Sequence, residues 1–315
     1  MVKLYNSKPK RFFAFGCSST KWYMNTWADI IARELGCKLN NPKQAECEYY
    51  NMGITGVGNF YIANAITEAD IKYNFGPEDL VIVMWSRLYS EDRWIEKDWL
   101  SVGNIFTQEG YSADFVKNYA NIGHFAMRDF MCIKLIDCLL QKTQHHHLQA
   151  VDIPTYHLKK RLAGDINSMG NNYSYYSVLS NNKIDPGDTP PQKPKVLAKF
   201  QEQVKMYQSL LDKIQPSLFD ILWDGDHKKN KSAIEPTIHP NFIDGHAHVK
   251  EHYEFVCKTF DYPFDQQPIE QCYESWYEHI QDVYKNVDQP TLYIELVSKG
   301  LTKDVDFYGT PFSLI

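Results

Sequence analysis

Ser18 stands in the knot Gly16-Cys17-Ser18-Ser19-Thr20, between the aromatic run RFFAF (11–15) and the amphipathic stretch NTWADIIAREL (25–35). A serine hydroxyl delivered at the end of a strand can attack an ester carbonyl, and backbone N–H groups at the start of a following helix can hold the resulting oxyanion. Small hydroxyl residues also turn chains and cap helices, so Ser18, Ser19 and Thr20 have a purely structural reading as well. A nucleophilic serine needs a base, usually histidine, and an acid that orients the base. Eleven histidines are present, so position must choose among them. The stretch Glu235-Pro-Thr-Ile-His239-Pro240-Asn241-Phe-Ile-Asp244-Gly245-His246 puts His239 in a proline-bounded loop before a helix expected over 245–260. Glu235 is the nearest preceding acid, with Asp224 and Asp226 farther back.

Other groupings point to different chemistry. His248-Val-Lys-Glu251-His252 matches the H-x-x-E-H pattern, in which two histidines one helical turn apart hold zinc and the glutamate is the base. A third ligand normally comes from well downstream, and a solvated helix face accounts for the pattern more simply. His145-His146-His147 reads as the cationic C-terminus of a helix. Asp224-Gly225-Asp226-His227 begins like a calcium loop but has no Glu at the twelfth position. Trp85, Tyr89, Trp94 and Trp99 could build a sugar-stacking wall, although tryptophans at strand ends usually belong to the core. No metal site is assigned.

The elements that must position these groups follow from periodicity. RFFAF reads as a strand and 25–35 as a helix closed by Gly36; a second strand near 47–52 leads through Gly53-Ile-Thr-Gly56-Val-Gly58-Asn59 into a helix over 60–71. LVIVMW (80–85) is a continuous apolar run of the kind buried on both faces of a parallel sheet, and FDILW (219–223) repeats its signature. Helices are expected over roughly 113–143, 194–214, 245–260 and 268–287. Alternating strands and helices specify an α/β sheet with functional loops at the carboxyl ends of its strands. Residues 145–193, rich in Asn, Ser, Tyr, Gly and Pro, read as an insertion or lid. The domain expectation is therefore 1–260 for the α/β domain with that insertion, and 261–315 for a helical extension and aromatic tail.

At 315 residues the chain can bury a full core without disulfides or metal. Its seven cysteines are scattered with no CxxC spacing, as expected of reduced thiols made in a cytosol. No stretch approaches the ~20 apolar residues of a membrane span, and the N-terminal apolar run is too short for an export signal. Lys and Arg number 33 against 39 Asp and Glu, a net charge of −6, which argues against a general nucleic-acid binder because phosphate neutralisation needs a basic face. The expectation is a cytoplasmic product with no nucleic-acid and no membrane partner.

Taken in order, Gly16-Cys17-Ser18-Ser19-Thr20, Asn51-Met-Gly53-Ile-Thr-Gly56-Val-Gly58-Asn59, the third hydrophobic strand and His239-Pro240-Asn241-x-x-x-Gly245-His246 resemble the SGNH/GDSL hydrolase family. The Gly-Cys-Ser-x-Thr form is similar to variants in bacteriophages and other large DNA viruses. The resemblance spans about 12–95 and 217–260. It implies a flavodoxin-like three-layer α/β/α fold with a central, mostly parallel sheet, and ester hydrolysis through Ser and His, often removing acetyl groups from carbohydrates or cleaving lipid esters.

Carried over by residue, the resemblance makes Ser18 the nucleophile with Cys17 in the family's Asp place, His239 the general base, and the N–H groups of Ser18 and Gly56 the oxyanion hole. The family's third-block Asn has no counterpart in 81–95, where Ser86 or Arg87 would substitute. Its orienting Asp, two or three residues before the histidine, meets Pro236 and Thr237 here, leaving Glu235. The expected function is a serine esterase acting on acylated carbohydrate or another small ester, with no cofactor. The alternative is a catalytically decayed SGNH-fold structural or glycan-binding protein, a virion component with homo-oligomeric or viral structural partners.

Overall fold

The fold is taken from a computed structural model that describes residues 1–22, 25–37, 46–87, 90–95, 98–104, 111–112, 115, 118–119, 122–150, 202, 205–223 and 246–267. Its centre is a four-stranded parallel sheet of β2 (Arg11–Gly16), β3 (Glu48–Asn51), β4 (Asp79–Trp85) and β7 (Gln144–Gln149), in the order β3-β2-β4-β7. β2 and β4 lie inside the sheet, so both of their faces are covered. Phe12, Phe13, Ala14 and Phe15, and every residue from Asp79 to Trp85, are buried. That two-sided burial is why the sequence runs apolar without alternation there. The β2–β4 register pairs Arg11 with Asp79 at one end and Gly16 with Met84 at the other. The Arg11 guanidinium grips Asp79 with two bonds, Nε to Oδ1 and Nη2 to Oδ2, each 2.7 Å, a fork geometry that fixes this alignment.

Helix α1 (Trp27–Glu34) follows β2, α2 (Asn59–Tyr73) follows β3, and α3 (Ile122–Leu139) precedes β7 through a short 3-10 turn. Two short helices, α4 (Gln208–Leu211) and α5 (Leu218–Trp223), lead towards α6 (Val249–Thr259). α2 packs on α3, and α6 packs on both α1 and α5. Beyond β4 the chain forms an antiparallel hairpin, β5 (Ser90–Ile95) with β6 (Asp98–Asn104), and a small parallel pair joins β1 (Val2–Lys3) to β8 (Phe260–Asp261). The molecule is thus a mixed α/β fold on a central parallel sheet, as the alternation of strands and helices predicts.

Two sequence expectations are corrected. FDILW is not a strand but most of α5. Ser217 and Asp220 form a reciprocal cap: the Asp220 N–H donates to Ser217 Oγ (3.0 Å) and the Ser217 hydroxyl donates to Asp220 Oδ2 (2.7 Å), directly after Pro216. A Ser-x-x-Asp box nucleates a helix over a run whose apolar content alone suits either state.

The fourth strand is instead QHHHLQ, where the three histidines were expected to end a helix. Strand alternation sends His145 and His147 to one face, beside Asp137 of α3, and His146 to the other. There the His146 Nε2–H donates to the Leu4 carbonyl (2.7 Å). Burial lowers the pKa of His146 to about 4 and pushes that of the enclosed His147 down as well, so these two rings are neutral rather than cationic. The segment expected as an insertion from about 145 therefore begins as a sheet strand; 151–193 lie outside the described residues, as do the helix expected over 268–287 and the rest of the tail.

Candidate active site

β2 ends at Gly16, and the chain turns at once: the Cys17 carbonyl accepts from Thr20 N (2.8 Å) and Lys21 N (3.2 Å). Gly16 is required by space. A Cβ there would stand 2.1 Å from Thr20 Oγ1 and 2.8 Å from the Met84 carbonyl. The turn is tied from two sides, since the Thr20 carbonyl accepts from Thr26 Oγ1 (2.6 Å) and from Asn51 Nδ2 (3.0 Å). The first residues after β3 extend the pairing with β2, Met52 N to the Ala14 carbonyl (2.8 Å) and Ile54 N to that of Gly16 (3.0 Å). Gly53 allows this close approach, because a Cβ would meet Lys21 Cβ at 2.9 Å.

Ser18 projects from this braced turn, half-buried, and its hydroxyl lies 2.7 Å from Nε2 of His246. That is a short O–H···N hydrogen bond, the contact a serine nucleophile makes with its base. For Nε2 to accept the hydroxyl proton, the neutral imidazole carries its own proton on Nδ1. His246 stands just ahead of α6, and the indole of Trp22 stacks on its ring, with centroids 3.8 Å apart and planes 27° apart.

The α6 start is anchored by a capping box: Glu251 N donates to His248 Nδ1 (3.4 Å), and His248 N donates to Glu251 Oε2 (3.0 Å). The Trp223 indole N–H adds a bond to Glu251 Oε1 (3.2 Å) from α5. The H-x-x-E-H pattern is thus engaged in capping, with His248 Nδ1 and the Glu251 carboxylate both holding backbone N–H groups and His252 fully buried. Burial lowers the pKa of His248 to about 4 and that of His252 to about 3.

The other sequence candidates fall as follows. His239 and Glu235 lie outside the described residues, as do Asp224, Asp226, Asp244 and Tyr89. Gly56 sits in the turn between β3 and α2 with φ of 81°, a left-handed conformation that favours glycine, two residues beyond the Ile54–Gly16 contact. Ser86 directly follows β4, two residues beyond the Gly16–Met84 pair of the β2–β4 register. Its backbone is taken up by Asn59, whose Oδ1 accepts from Ser86 N (2.7 Å) and whose Nδ2 donates to the Ser86 carbonyl (3.0 Å) and to Asp129 Oδ2 (2.8 Å). An oxyanion role for Ser86 would therefore fall to its hydroxyl.

The helix expected over 25–35 is α1, with Thr26 as its N-cap, boxed with Asp29; that cap stands eight residues beyond Ser18 in the sequence, so the turn rather than the helix N-terminus supplies the backbone N–H groups next to Ser18. Trp85 is fully buried, Trp99 half-buried and Trp94 58% exposed; the last two meet edge to face at 5.8 Å on the β5–β6 hairpin.

A second cluster is metal-like in composition. Ligand atoms of Asp137, His145 and His147 lie within 4.8 Å of one another, and the Nδ1–H of His145 donates to the Thr143 carbonyl (3.0 Å), as a ligating histidine would. Two contacts oppose a cation. The Trp85 indole, which can only donate, points at Nδ1 of His147 (3.2 Å), so the neutral ring carries its proton on Nε2, the atom a metal would need. The Lys213 ammonium already binds both Asp137 oxygens, at 2.9 and 2.8 Å. With His147 and Lys213 on it, Asp137 is held well below the usual carboxylate range. A groove of about 270 Å³ beside it, lined by Lys134, Tyr207, Leu210 and Lys213 among others, shares no residue with the Ser18 site.

No family model and no curated protein matches the chain. Among solved structures it is similar to the crystal structure of a member of the lipolytic protein G-D-S-L family from Veillonella parvula, at 11% identity and a TM-score of 0.36, over 79% of this chain and 94% of that one. A likeness so slight assigns no residue, and the site stands on its own geometry.

Proposed function

We propose that the protein is a serine esterase in which Ser18 is the nucleophile and His246 the general base. The observation that carries this reading is the 2.7 Å contact between the Ser18 hydroxyl and His246 Nε2. Ser18 Oγ bonds to the ester carbonyl carbon while its proton passes to Nε2. The tetrahedral oxyanion collapses with cleavage of the C–O bond, and the departing alcohol takes the proton from His246. A water, deprotonated by the same ring, then attacks the acyl-enzyme, and the proton returns to Ser18 as the acid leaves. The N–H groups of Ser18 and Gly56 are the proposed oxyanion donors, with the Ser86 hydroxyl as a third. Asp244, two residues before His246 in the sequence, has the spacing of the orienting acid implied by the SGNH/GDSL resemblance, and takes that role in place of Glu235. The full α/β/α layering of that family completes the proposal.

The substrate class proposed is acylated carbohydrate, supported by the exposed Trp94 beside Trp99 on the hairpin that follows β4, since flat aromatic faces suit sugar rings. Hydrolysis of p-nitrophenyl acetate and of an acetylated oligosaccharide by wild type, Ser18→Ala, His246→Ala and His239→Ala tests the reading. Loss of at least about 10³-fold in the first two variants, with His239→Ala near wild type, is expected. Equal rates for wild type and Ser18→Ala would sink the mechanism. Saccharide binding without Ser18-dependent turnover would favour the glycan-binding alternative.

A further inference from the structure

We infer that Trp22 is the platform that positions His246 and stabilises its imidazolium; this deepens the esterase reading and rests on it. The two rings stack with centroids 3.8 Å apart and planes inclined by 27°, while the Nε2 edge of the imidazole faces Ser18. A ring stacked on one face and hydrogen-bonded at one edge has little freedom to rotate, so the proton path from Ser18 is fixed before substrate arrives. The indole face carries negative quadrupole density, and an imidazolium lying on it is favoured over neutral imidazole. That charge exists only once Nε2 has taken the Ser18 proton, which places the benefit in the transition state.

The indole acts on the face of the imidazole, whereas the acid proposed at Asp244 would act at its Nδ1 edge. Among the described titratable neighbours, His248 at the N-cap of α6 and His252 within it are held neutral at physiological pH by burial, and Lys21 precedes Trp22 on the turn. The turn that carries Trp22 is the one braced by Asn51 and Gly53. The platform and the nucleophile therefore share a support.

The test combines kinetics with a measurement that needs no turnover. On p-nitrophenyl acetate, Trp22→Ala and Trp22→Leu are expected to lower kcat about tenfold with KM within about twofold, and Trp22→Phe to retain most of kcat. Leu keeps bulk without a π face, so it separates stacking from packing if the Ala variant fails to fold. In the Ser18→Ala background, the ring-proton resonances of His246 should lie upfield through the indole ring current and move downfield on Trp22→Leu. A rise in KM at constant kcat would make Trp22 a substrate wall and overturn the inference, as would unmoved resonances or equal kcat in the Leu and Phe variants. Ser18-dependent activity indifferent to Trp22 sinks the platform alone; turnover independent of Ser18, or none on any ester, sinks the esterase reading with it.

Discussion

The reach of the Ser18 hydroxyl depends on residues that make no bond to His246. Gly16 is the sharpest case, because the Thr20 side chain occupies the space where a Gly16 Cβ would go. Gly16→Ala is expected to lower stability by about 2–4 kcal/mol, read as a fall in urea midpoint, and to abolish the proposed esterase activity at temperatures where the fold survives. The place of Ser18 in a turn directly after a strand was legible in the sequence because a small polar knot behind an apolar run is a local pattern. The His246 contact was not, since the proline-bounded loop, which lies outside the described residues, drew attention to His239, whereas the contact of His246 with Ser18 depends on how α6 docks on α1 and α5. A local signal did exist: Asp244 precedes His246 by two residues, the spacing sought and not found ahead of His239. Trp22 carried no such signal, for stacking on a residue more than two hundred positions away leaves no periodicity.

Caps and strand faces decide which elements present the site. The α6 N-terminus holds His246 through the His248–Glu251 box and the Trp223 bond. Glu251→Ala is expected to cost about 1–2 kcal/mol and to weaken activity only through looser placement of His246; chelation by EDTA should leave the activity unchanged. A chelator-sensitive rate restored by zinc would instead revive the metal reading of H-x-x-E-H. Three of the four central strands were legible as apolar or aromatic runs. β7 was not, because its polar QHHHLQ is stabilised by what each face meets, Asp137 and Trp85 on one side and Leu4 on the other. FDILW misled for the complementary reason: a short apolar run is ambiguous, and the Ser217–Asp220 cap resolved it.

At the scale of the molecule, the buried Asp129 carboxyl makes stability depend on pH. Burial raises the Asp129 carboxyl to about 7 against the pull of Arg128 and Asn59, whereas the unfolded carboxyl titrates near ~3.9. Between those values the folded state holds a proton that the unfolded state has lost, so stability falls as pH rises from about 4 to 7. Urea midpoints across that window should decline in the wild type and flatten in Asp129→Asn; an unchanged slope in the variant would assign the dependence elsewhere. Asp137 works in the opposite sense and a lower window, its depressed pKa adding stability that is lost only as pH falls below about 4. The proposed esterase activity rests on the Ser18–His246 contact, and a fluorophosphonate probe reads that contact directly. Peptide mass mapping after labelling should find the phosphonyl group on Ser18 in the wild type and in His239→Ala, and little or none in His246→Ala; labelling on another residue, or labelling of Ser18 that does not need His246, would contradict the Ser18–His246 assignment.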